Sequence, residues 1–103
     1  MELLVVPDCP HEAEVVELVR QLLDGMGHAG TPVPVRTITS EFEAERRGFT
    51  GSPTILIDGV DPFLQPDRQP GLACRVYATR GGLAGVPDSG ALQAALRAAA
   101  GLT

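Results

Sequence analysis

A chain of 103 residues, 44% of them hydrophobic and 20% charged, holds enough apolar material for one modest core, so it reads as a single domain over residues 1–103. The net charge is −5, and the arginines at 20, 36, 46, 47, 68, 75, 80 and 97 are scattered, which excludes the clustered basic footprint of a nucleic-acid binder. No apolar run nears the roughly 20 residues of a membrane span and no basic segment precedes an apolar one at the N-terminus, so no membrane role and a cytoplasmic location are expected.

Residues 2–7, ELLVVP, are almost continuously apolar, as a central strand covered on both faces is. From His11 to Met26 the apolar positions recur at intervals of three and four, the period of an amphipathic helix, with Gly25 or Gly27 available to end it. Residues 33–39, VPVRTIT, read as a strand, and Pro34 places it on a sheet edge because it lacks a ladder donor. Ser40 followed by Glu43 has the spacing of a capping box and opens a short helix to about Arg47. Thr54–Ile57 is a second buried strand closed by the turn signal Asp58-Gly59. Residues 60–73 carry three prolines and no clear period and read as a long ordered loop. Cys74–Thr79, CRVYAT, makes a fourth strand, RGGLAGVPD a loop, and Ser89–Ala100 a last helix. The expected order is β-α-β-α-β-β-α, with the first two strands parallel neighbours and a four-stranded mixed sheet carrying helices on both faces. The Pro34 strand would form one edge and CRVYAT the other.

Two cysteines in a chain without a secretion signal do not read as a disulfide framework, so each needs a reason in chemistry or packing. Cys9 stands where a buried strand gives way to a helix, and the free N–H groups and positive dipole end of a helix favour a thiolate, the reactive form of a thiol. Pro10 suits a first helical turn because it has no N–H to leave unsatisfied. His11 is positioned to supply positive charge or carry a proton. Asp8 and Glu12 act in the opposite direction, since a nearby carboxylate disfavours a thiolate. A buried, inert packing residue is the alternative for Cys9 and the expected role of Cys74, at a strand start.

A cysteine-proline turn after the first strand, and Gly51-Ser52-Pro53-Thr54 before a later apolar strand, resemble the thioredoxin and glutaredoxin superfamily. The stretches CPHEA, GSPTILIDG and GLACRVYATRGGLAGVP together are similar to short bacterial thioredoxin-like proteins labelled alkylmercury-lyase-like. The resemblance implies a thioredoxin-like fold, a cis-proline at Pro53 beside the cysteine, and Ser52 offering backbone groups to a substrate. Arg80 and Gly81 stand where glutaredoxins hold glutathione. The sequence departs from the family at Glu12, where the second cysteine of C-x-x-C would stand, so a dithiol cycle inside that motif is excluded.

On an antiparallel hairpin of TILI and CRVYAT, Cys74 would lie roughly 13 to 17 Å from the active-site end at about 3.3 Å per residue, beyond the about 7 Å that a disulfide allows between Cα atoms. Cys9 and His11 bring only two ligands together, short of the four of a structural zinc site, whereas Cys9 and Cys74 thiolates would suit a soft ion such as mercury. The expected function is thiol-disulfide exchange by a monothiol mechanism. Cys9 and His11 are its catalytic residues, Pro10, Ser52, Pro53, Arg80 and Gly81 its substrate-binding residues, and thiols or disulfides its partners. No bound cofactor is expected beyond glutathione or another external thiol. A non-catalytic binding module and a heavy-metal binder are the alternatives.

Overall fold

The computed structural model describes residues 1–64, 69–73 and 75–99. Strand β1 (Glu2–Val5) is central, and Leu3, Leu4 and Val5 on it are fully buried. Successive side chains of a strand face opposite sides, so Leu3 and Leu4 enter different cores. On one face of the sheet, Leu3 packs with Val15, Val19 and Leu23 of helix α1 (Glu12–Gly25) and with Leu92 and Leu96 of the last helix, α3 (Ser89–Ala99). On the other face, Leu4 packs with Ile38, Phe49 and Ala44 of helix α2 (Glu41–Arg47).

Strand β2 (Val35–Thr37) pairs parallel with β1 in the register Leu3↔Val35, Leu4↔Arg36 and Val5↔Thr37, and it forms an edge. Pro34 contributes there through its carbonyl, which accepts from Leu3 N at 2.9 Å. The α2 cap has the chemistry its sequence announces. Ser40 Oγ accepts from Glu43 N at 3.0 Å, Glu43 Oε1 accepts from Thr39 N at 3.0 Å, and Gly48 closes the helix in the left-handed conformation, at φ 65°. Strand β3 (Thr54–Leu56) runs antiparallel to β1, with Leu4 opposite Thr54 and Glu2 opposite Leu56. Beyond it, Asp58 and Gly59, both at positive φ, turn the chain so that Ile57 and Val60 exchange both backbone hydrogen bonds.

Among the described residues the expected four-stranded sheet does not form: the main sheet has three strands, in the order β2-β1-β3. Of the segment expected as the fourth strand, Tyr77–Thr79 is strand β4, and it pairs antiparallel with β5 (Gly82–Ala84) in a separate two-stranded sheet. The expected start of that strand, Cys74, lies outside the described residues. The segment ahead of β4 meets the main sheet only at its margin: Ser52, just before β3, donates to the Ala73 carbonyl and accepts from Arg75 N, and β4 then finds its ladder in β5, the chain that follows it. The Arg75 guanidinium is buried in this joint, where Nη1 is 2.6 Å from Asp61 Oδ2 and 3.4 Å from Thr54 Oγ1, Nη2 donates to the Phe63 carbonyl, and the group lies 4.7 Å from the centre of the Tyr77 ring. No helix among the described residues is long and apolar enough to cross a membrane.

Candidate functional site

The turn from β1 into α1 carries three of the expected site residues. Asp8 enters it in the left-handed conformation, at φ 57°, a region that Asp tolerates better than most residues. Cys9 follows as a free, half-buried thiol, and its carbonyl accepts from Glu12 N at 3.3 Å, tying the turn to the first helical N–H. Pro10 is exposed. His11 is the N-cap of α1, and its side chain does not accept the capping bond. The imidazole turns sideways instead, with Nδ1 3.5 Å from Glu14 Oε1 and its other edge against Gly85.

Ser52 and Pro53 lie beside the far end of β1. Just past the β1–β3 ladder, which ends at Leu4↔Thr54, Val6 N donates to Ser52 Oγ at 3.1 Å, three residues before Cys9. The Ser52-Pro53 peptide bond is cis, and both residues are buried. Their polar groups are engaged by the chain itself. Ser52 N donates to the Ala73 carbonyl at 2.8 Å, Arg75 N donates to the Ser52 carbonyl at 2.9 Å, and Tyr77 Oη donates to the Pro53 carbonyl at 2.6 Å. Gly51 permits this approach. It sits at φ 148°, and a Cβ there would stand 2.8 Å from Arg75 Cβ.

Arg80 and Gly81 are carried by another element. They form the exposed turn between β4 and β5, where Arg80 N donates to Asp88 Oδ2 at 3.0 Å ahead of α3. Between that hairpin and α1 opens a cleft of about 400 Å3, lined by the carboxylates of Glu14, Glu17 and Asp88 and by Leu18, Ala84 and Val86. The sites expected from the sequence thus divide into a thiol turn, a buried Ser52-Pro53 wall and an exposed hairpin turn. Cys74 lies outside the described residues, and among the described residues no three metal-donor side chains come together.

Sequence reasoning missed Arg75, Tyr77 and Gly85. Arg75 forms an ion pair with Asp61 at side-chain exposures of 2% and 10%, which marks it as a buried charge satisfied by design of the loop. Burial drives the Tyr77 phenol pKa well above the ordinary value, the Arg75 charge offsetting part of the rise and Asp61 adding to it. A charged residue inside the apolar run CRVY was the available signal for Arg75. Nothing local marks Gly85. No protein-family model, no curated protein and no solved structure matches the chain.

Proposed function

We propose that the chain performs thiol-disulfide exchange through a single sulfur, Cys9, with small disulfides or soft electrophiles as its substrates. The observation that carries this reading is the free, half-exposed Cys9 on the turn entering α1, next to His11 and on the end of the sheet where Ser52 and Pro53 stand. The resemblance of CPHEA and GSPTILIDG to the thioredoxin and glutaredoxin superfamily supports the same chemistry. In the first step the Cys9 thiolate attacks one sulfur of a disulfide, a new Cys9 S–S bond forms, the old S–S bond breaks, and the departing thiolate leaves with its electron pair. His11 carries the proton that the departing sulfur needs. In the second step an external thiolate, glutathione or a similar small thiol of a reducing cytoplasm, attacks the mixed disulfide and releases Cys9 as thiolate.

The preference for small partners follows from Ser52. Its N–H and carbonyl already pair with Ala73 and Arg75, so that position has no free backbone edge on which an extended peptide would add as a strand.

The test uses the Cys74→Ser protein, in which Cys9 is the sole thiol, incubated with glutathione disulfide at neutral pH and followed by intact mass. The native chain is expected to form the mixed disulfide severalfold faster than the same chain in denaturant, and added glutathione should reverse it. Cys9→Ser in the same background is expected to form none. A native rate equal to or below the denatured rate would overturn the reading in favour of a binding module in which Cys9 is inert.

A further inference from the structure

We infer that Gly85 is a positioning residue for the His11 imidazole, clamping its ring from across the fold so that the Cys9 turn has a fixed proton carrier. The inference rests on the proposed role of His11 beside Cys9.

Gly85 lies in the connection from β5 to α3, 74 positions after His11 in the chain, yet the two are in contact. A Cβ built on Gly85 would fall within the imidazole itself, against Nε2, Cδ2 and Cε1. The backbone at this position does not explain the glycine. Gly27, Gly48, Gly51, Gly59 and Gly82 adopt positive φ, and Gly85 does not, so its conformation is open to any residue. A side chain here would have to displace the ring from its present rotamer. On the opposite side of the ring, Nδ1 faces the Glu14 carboxylate at 3.5 Å. The imidazole therefore lies between a carboxylate one turn along its own helix and the bare backbone of a distant connection. The Glu14 carboxylate thus faces one edge of the ring and the Gly85 backbone the other.

Such a clamp restricts the rotamers of a side chain that is otherwise 38% exposed. A proton carrier held in one orientation loses less freedom when it acts, which is the benefit of fixing a reacting group in advance.

The test compares Gly85→Ala with Gly30→Ala, a control at which an added Cβ meets nothing. The imidazole carbon-proton resonances of the labelled full-length chain are read first. His28, the second of the two histidines, serves as an internal reference. Gly85→Ala is expected to move the His11 resonances and leave those of His28, while Gly30→Ala moves neither pair of His11 signals. The rate of mixed-disulfide formation at Cys9 should fall in Gly85→Ala to the level of His11→Ala, with no further loss in the double variant. Unchanged His11 resonances in Gly85→Ala, or an additional loss of rate in the His11→Ala background, would overturn the inference. If Gly85→Ala does not fold, recovery of folding in Gly85→Ala/His11→Ala supports the clamp and continued failure overturns it. A wild-type Cys9 that forms no adduct sinks the proposed function alone, because the resonance shift still reports the clamp.

Discussion

Tyr77 and Arg75 hold the two sheets together with polar bonds in a place where water does not compete. The Tyr77 hydroxyl donates at 2.6 Å to the carbonyl of the buried Pro53, and its ring meets Phe63 edge to face at 5.5 Å. Tyr77→Phe keeps the ring and leaves that carbonyl without a donor. The expected loss is about 1–3 kcal/mol, the cost of an unsatisfied buried acceptor, read as a lower urea midpoint at unchanged slope. An unchanged midpoint would show that the carbonyl finds water or that the bond contributes nothing. At this scale the sequence was informative wherever a residue's neighbours in the chain are its partners in space. Cys9, Pro10 and His11 share one turn and were legible together. Gly85 was not, because its significance lies in a ring 74 positions away and the glycine needs no special backbone conformation. Arg75 was missed as well: a charge in an apolar run is a signal that it is buried with a partner, and the partner, Asp61, lies 14 positions back in the chain.

The elements most readable in advance were those whose ends carry their own chemistry. Ser40 and Glu43 form the reciprocal cap their spacing predicts, with Glu43 reaching Thr39 N rather than the N–H of Ser40. Ser40→Ala is expected to cost about 1 kcal/mol, whereas Ser40→Thr keeps the acceptor and most of the stability. Equal losses in the two variants would mean that the hydroxyl is not what stabilises α2. The parallel β1–β2 pair, with Pro34 at its edge, was legible for the same kind of reason, since a residue without a donor has few places in a ladder. The β4–β5 hairpin was not. Each of its strands has three residues, too short for a period of two to show, and Gly81-Gly82 reads locally as a loop. Neighbouring strands usually pair, which is why TILI and CRVYAT suggested a hairpin. The preference gives way here: Ala73 and Arg75 pair through their backbone with Ser52, ahead of β3, and Tyr77–Thr79 takes Gly82–Ala84 as its partner instead.

In the molecule as a whole, a three-stranded sheet lies between two cores, and the hairpin is a separate piece joined to it. The burial pattern of single elements revealed the two cores, because Leu3 and Leu4 must face opposite ways. The independence of the hairpin appears only at this scale, since it depends on contacts among Pro53, Asp61, Arg75 and Tyr77 that no one segment contains. The joint also has an optical consequence. The chain has one tyrosine and no tryptophan, and all eight of its basic residues are arginines. The near-ultraviolet signal of the folded protein therefore comes from the residue that bridges the two sheets, with only three phenylalanines behind it. Burial raises the Tyr77 pKa above its ordinary 10.0, so the stability contributed by the neutral phenol is complete below pH 10.0 and is lost as the pH climbs toward the higher folded value. At about pH 11 the unfolded chain should show phenolate absorbance and the folded one should not. Phenolate appearing near pH 10 while the far-ultraviolet dichroism remains native would place the phenol in water. A single chromophore thus reports whether the hairpin is seated, separately from whether the main sheet is folded.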